Sequence, residues 1–184
     1  GVYEVEWGMT IADMLEMVGA SSVQAVQVGG PSGSLIGPKE FNRTLCYADL
    51  ATGGSLIIIC QGRDLIRDIV LNFTDFFIEE SCGSCSTCRA VPVMMRQKIE
   101  KLLDGHGVNQ DIEDLQKWGA LLKVSRCGLG HTAGNPILTS IKNFRYLYEE
   151  LIQKDKTFDT GFDLEAAVQE SCKVVDRVPN LEHH

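Results

Sequence analysis

Basic residues are scarce in this 184-residue chain: 17 lysines and arginines face 25 aspartates and glutamates, a formal charge of −8 with the four histidines neutral. Nucleic acid, whose backbone rewards basic surfaces, is therefore excluded as a partner. Long apolar runs are also missing. The longest uninterrupted one is Leu56 to Cys60, far short of the roughly 20 residues that cross a bilayer; membrane insertion is excluded, docking to a membrane complex is not. No charged n-region and apolar h-region open the chain, so no secretory signal is read there. Gly29-Gly30-Pro31-Ser32-Gly33 lacks the Lys-Ser/Thr of a phosphate loop and the Gly-x-Gly-x-x-Gly order of a dinucleotide fold, which leaves it as a turn between sheet elements. No catalytic triad, paired-carboxylate pocket or internal repeat is visible.

Hydrophobic residues at 44% and charged residues at 23% are ordinary for a folded chain and exclude disorder for most of it. The length allows one domain or two small ones. Gly1 is expected of an excised or processed piece, and Leu181-Glu182-His183-His184 of a purification-tag remnant.

Turns punctuate the first third. Val2 to Val5 and Val23 to Val28 are predicted strands. Between them Ile11, Met14, Leu15 and Val18 share a helical face, with Thr10 as cap and Gly19 beyond the end. A further strand is expected over Ser55 to Cys60. From Leu65 the period becomes helical. A first helix carries Leu65, Ile66, Ile69, Val70, Phe73, Phe76 and Phe77 and ends near Ser81. A second begins around Cys88 with Pro92 in its first turn, where no amide donor is needed. A third starts from Asn109 as cap, and a fourth from Asn135-Pro136. Met94 and Met95 are assigned to the core. The expected architecture is α+β: a small mixed sheet embracing one helix, then an antiparallel four-helix bundle, with a polar tail weakly helical from Asp163 to Asp176.

The cysteines say most about chemistry. Seven of them, an odd number without secretory context, argue against a disulfide framework. Cys82, Cys85 and Cys88 recur at intervals of three. Each thiolate can hold one iron at a corner of a cubane, and three on a compact loop can hold three corners. The fourth corner needs a distant ligand, and Cys127 in Arg126-Cys127-Gly128-Leu129-Gly130 supplies it. Cys82 to Cys88 falls between the first two helices and Cys127 between the last two, which an up-and-down bundle places at the same end. Zinc also takes four thiolates, but its structural sites are usually two Cys-x-x-Cys knuckles, and the second arm here offers a single cysteine; zinc stays as the alternative. Cys46 and Cys60 are expected to be small buried residues, and Cys172 receives no metal role. His131 is assigned to the surroundings of the site rather than to ligation. Arg89 and Arg126 flank the cysteines and would offset the charge of a four-thiolate cluster. Such a saturated cluster leaves no open iron for substrate, so the expected work is one-electron transfer, without turnover by this segment alone.

Glu80-Ser81-Cys82-Gly83-Ser84-Cys85-Ser86-Thr87-Cys88-Arg89, followed by Ser125-Arg126-Cys127-Gly128-Leu129-Gly130-His131-Thr132-Ala133-Gly134-Asn135-Pro136-Ile137-Leu138, resembles the NADH-binding flavoprotein subunit of respiratory complex I and, more closely, the diaphorase subunit of NAD-reducing soluble hydrogenases. Val26 to Gly33 and Asp49 to Ser55 also match, so the resemblance covers residues 1 to 152. It implies a β-grasp domain of the soluble-ligand-binding type over 1–62 and a four-helix iron–sulfur domain over 63–152, with a tail over 153–180. It implies further that Cys82, Cys85, Cys88 and Cys127 hold one [4Fe-4S] cluster, and that FMN and NAD(H) bind in an upstream domain absent here. The implied partners are that flavin domain and neighbouring iron–sulfur subunits; the implied location is cytoplasmic or peripheral to a membrane complex. Departures from the family pattern are Thr87 for the usual Pro, Val91 near a usual Gly, and His131-Thr132-Ala133-Gly134-Asn135-Pro136 for Gln-Thr-Ala-Pro-Asn-Pro. None removes a ligand. Two other readings stand beside the relay: a structural zinc or docking module of a redox complex, and a small-ligand module using the glycine-rich loop.

Overall fold

A computed structural model describes residues 1–153, 168–169 and 172–177. Residues 1–153 form one compact unit and 154–184 a second. The expected tail helix over 163–176 falls largely outside the described residues.

In the first unit, three strands form an antiparallel sheet of order β2-β1-β3, with β1 Val23–Val28, β2 Ser34–Ile36 and β3 Leu56–Cys60. Side chains alternate across the sheet, and both faces are covered. Val26, Val28 and Ile36 pack on Ile11 and Leu15 of α1, Ile11–Met17. Ala25, Leu35 and Ile59 face the other way, into the core shared with the helices that follow. Thr10 caps α1, its hydroxyl accepting from Asp13 N while the Asp13 carboxylate accepts from Thr10 N. The expected strand at Val2 to Val5 is not formed. Val2 and Tyr3 are exposed, and without a neighbouring strand to accept its hydrogen bonds apolar alternation alone does not make one.

The helical part begins with a π-helical turn over Leu65–Val70, which the Asp64 carboxylate caps by accepting from Ile66 N and Arg67 N, and continues as α2, Leu71–Glu79. Then come α3 Ser86–Leu103, α4 Asn109–Leu121, α5 Gly128–Thr132 and α6 Asn135–Glu150. Helix α2 packs on α3, α3 on α4, α4 on α6 and α6 back on α2. Met95, Ile99, Leu102, Ile112, Leu115, Ile137, Ile141 and Tyr148 fill the centre.

Three boundaries differ from expectation. Helix α3 starts at Ser86, so Pro92 lies inside it and withholds a helical donor from the Cys88 carbonyl. Val108, not Asn109, is the residue before α4; its side chain cannot cap, and the Asp111 carboxylate accepts from its amide at 3.0 Å instead. Helix α6 is kinked at Phe144 (φ −135°, ψ 35°). Met95 is core as expected, whereas Met94 is exposed. Among the described residues no helix is long and apolar enough to cross a membrane.

Candidate metal centre

The two cysteine arms are built from helix beginnings. Cys85 immediately precedes α3 and Cys127 immediately precedes α5, both in extended conformation with φ/ψ of −91°/127° and −128°/166°. Gly83, at φ +72°, lets the first arm reverse between Cys82 and Cys85. Ser81 ties the arm together: its hydroxyl accepts from Gly83 N at 3.3 Å and lies 3.4 Å from Cys88 Sγ.

The arms meet. Thr87 Oγ1 and Ser125 Oγ are 3.3 Å apart, a hydrogen bond joining α3 to the chain just before Cys127. A Cβ placed on Gly130 would stand 2.4 Å from Ser125 Cβ and 3.5 Å from Cys88 Cβ. The middle of α5 is thus pressed against Ser125, where only glycine fits, and lies at ordinary contact distance from Cys88. His131 Nε2 bonds the Ser125 carbonyl. This gives the histidine a role in holding the arm, a bond that spacing alone could not reveal.

Cys88 is buried, Cys85 half-buried, and Cys82 and Cys127 are exposed; all four are free thiols. Among the described residues no three His, Cys, Asp or Glu side chains gather closely enough to hold a single metal ion. Arg89 and Arg126 are exposed beside the arms. Away from the site, Cys46 is half-buried and Cys60 exposed. The expectation that both are buried is corrected: β3 lies at a sheet edge and turns Cys60 outward. Cys172 is half-buried in the second unit.

Comparison with known proteins gives the class: an iron–sulfur binding region. Residues 68–151 match the family described as the NADH-ubiquinone oxidoreductase-F iron-sulfur binding region. It is 42% identical over 171 residues to the alpha subunit of the NAD-reducing hydrogenase HoxS of Cupriavidus necator, covering 91% of this chain and 28% of the relative. It is 30% identical over 159 residues to a subunit of the NADH-quinone oxidoreductase of Mycobacterium tuberculosis, covering 80% and 36%. The crystal structure of an NAD+-reducing [NiFe]-hydrogenase in the H2-reduced state superposes with a TM-score of 0.79 at 31% identity, covering 99% of this chain and 32% of that one. The chain spans about a third of the length of such relatives.

Proposed function

We propose that this chain is a one-electron relay whose Cys82, Cys85, Cys88 and Cys127 hold a single [4Fe-4S] cluster. The observation that carries this reading is the packing of the Cys127 arm on the Cys88 arm through Gly130 and Ser125. The donor set fits the group in its chemistry: four free thiols stand on two arms that meet. Three thiols on one arm and one on the other match the corners of a cubane better than the paired Cys-x-x-Cys knuckles usual for structural zinc.

A bound cluster would supply single-electron exchange at a potential set by its surroundings. The protein's part is to hold and bias it. Cys85 and Cys127 present sulfur at helix starts, where amide dipoles favour negative charge. Ser81 is placed to donate a hydrogen bond to a Cys88 thiolate. Arg89 and Arg126 would add positive charge and favour the reduced form.

In this reading residues 1–62 are a β-grasp domain and 63–152 a four-helix iron–sulfur domain. They belong to a longer cytoplasmic subunit, which can sit against a membrane complex and whose flavin domain exchanges hydride with NAD(H). Electrons pass between that flavin and clusters of a neighbouring subunit. The relatives' names, NAD-reducing hydrogenase and NADH-quinone oxidoreductase, support this.

The test is anaerobic reconstitution with iron and sulfide, followed by metal analysis and low-temperature electron paramagnetic resonance after dithionite reduction. Four irons per chain and a signal abolished or altered by serine at Cys82, Cys85, Cys88 or Cys127, but not at Cys46, Cys60 or Cys172, is the expected result. A colourless chain with one zinc would overturn it in favour of a structural metal site.

A further inference from the structure

The Gly29-Gly33 loop takes no part in the relay as described, yet it is the part of the sheet that reaches the Cys127 arm. Gly29 (φ +87°) and Gly30 (φ +62°) turn the chain out of β1, and a Cβ on Gly33 would stand 1.7 Å from the Val28 carbonyl oxygen. Only glycine permits so tight a return. Gln27 is wholly buried on the helix-facing side of β1. Its Nε2 donates to the Gly30 carbonyl, while its Oε1 is left without a partner. A buried amide with one end unsatisfied is costly, and here its satisfied end fixes the loop.

The loop in turn holds the cysteine arm. Asn135 Nδ2 donates to the Ser32 carbonyl at 2.7 Å, and the Thr132 and Ser32 hydroxyls are hydrogen-bonded at 3.1 Å. Thr132 ends α5, the helix that starts directly after Cys127, and its hydroxyl also reaches the Gly128 carbonyl at 2.9 Å. Five residues, two of them glycine, cannot keep a helix by themselves. The contacts made from outside set where α5 lies: Ser125 holds it through His131 and Gly130, and Ser32 through Thr132. Docking of the sheet on α6 does not need the Ser32 bonds. Leu35 already secures it, its amide donating to Thr139 Oγ1 at 3.1 Å and its carbonyl accepting from Asn143 Nδ2 at 2.8 Å.

We propose that the Gly29-Gly33 loop is a brace for the fourth-cysteine arm: Ser32, fixed by Gln27 through Gly30, positions Thr132 and Asn135 and so the backbone that presents Cys127. Ser32, Gln27, Thr132 and Asn135 are positioning residues. The inference rests on the cluster reading for its functional consequence, retention and electronic character of the cluster, but the brace itself is a property of the polypeptide.

Both parts are tested on the full chain with Ser32→Ala combined with Asn135→Ala, which leaves the Thr132–Gly128 bond within α5 in place, and with Thr132→Ser as the conservative variant. In the metal-free chain, amide hydrogen exchange at His131 and Ala133, which donate to the Cys127 and Gly130 carbonyls, should rise about tenfold in the double variant, while amides of β1 and β3 keep their rates. In the reconstituted chain, iron release to a chelator should rise by a similar factor and the resonance line shape should change. Thr132→Ser should stay within about twofold of the unaltered chain in both. Exchange at His131 and Ala133 unchanged, or raised equally in β1 and β3, overturns the brace. Exchange raised with iron release and line shape unchanged overturns its influence on the cluster. Should the unaltered chain take up no iron, the cluster reading has failed, and the exchange result alone decides the brace.

Discussion

Asp111 is a buried carboxylate with two ammonium partners, Lys98 Nζ at 2.5 Å and Lys101 Nζ at 2.8 Å, as well as the Val108 amide. Burial alone would push its carboxyl up, but the bonds from Lys101 and Lys98 outweigh it and hold the group below the usual aspartate range. A folded-state value lowered in this way contributes stability that is full above about pH 4 and lost as pH falls through the lowered value. Asp111→Asn should therefore cost about 2 kcal/mol at pH 7, at the lower end for a broken ion pair because both lysines are part-exposed. The cost should shrink as pH falls below about 4 and through the lowered value; urea unfolding at pH 7 and along an acid series measures it, and a cost that stays constant throughout would refute the electrostatic account. The sequence places Asp111 at the start of a helix, where a carboxylate is favourable anyway. That two lysines of the preceding helix converge on it is invisible to helical periodicity, because it depends on how α3 and α4 pack. Gly130 is a similar case. Its role reads from sequence as backbone freedom, whereas its φ is ordinary and what matters is the 2.4 Å a Cβ would leave to Ser125 Cβ. Gly130→Ala should lower stability by about 2 kcal/mol and lower the iron taken up per chain, read by denaturation and metal analysis.

Elements that bury a broad stripe were legible, and those held by other elements were not. Helices α2, α3, α4 and α6 carry apolar residues every three or four positions and form close to where that period places them. β1 and β3 likewise follow their apolar runs. β2 is three residues long, and its existence depends on pairing with β1 across the glycine-rich turn. Helix α5 has too few residues for any period to register, and its position comes from Ser32, Ser125 and Cys88. The kink in α6 falls where the Phe144 ring lies against Gly37, a contact between segments over a hundred residues apart. Edge strand β2 depends on α6 through Leu35, whose two backbone groups are bonded by Thr139 and Asn143. Asn143→Leu leaves the Leu35 carbonyl without its donor and should cost about 1 kcal/mol. A lower urea midpoint with an unchanged slope is expected; a changed slope would mean that the sheet separates from the helices before the rest unfolds.

At the scale of the whole chain, the candidate site joins two arms that are far apart in sequence, Cys82 to Cys88 and Cys127, with α3 and α4 between them. The four cysteines stand out in the sequence as a candidate set because ligand spacing is readable without any knowledge of packing. That the arms are joined by contacts of the polypeptide itself was not, since these rest on Gly130, Ser125 and Thr87 and on how their elements pack. The consequence is thermodynamic. A group that binds the folded chain and has no comparable site in the unfolded one stabilises the fold by linkage. It also closes the long loop from Cys88 to Cys127, whose freedom in the unfolded chain is otherwise large. The reconstituted chain should therefore unfold several degrees above the metal-free chain in anaerobic calorimetry, a shift of about 4 °C or more for each 2 kcal/mol gained. Because Gly130, Ser125 and Thr87 join the arms without a metal ligand among them, preassembly is the expected state, and the metal-free chain should still give a cooperative transition rather than the featureless melt of a domain folded only by its metal. Cys127→Ser should remove most of the difference between loaded and metal-free samples, since three ligands on one arm bind without closing the loop. Loss of cooperativity in the metal-free chain would refute preassembly, and an undiminished shift in Cys127→Ser would remove that residue from the site.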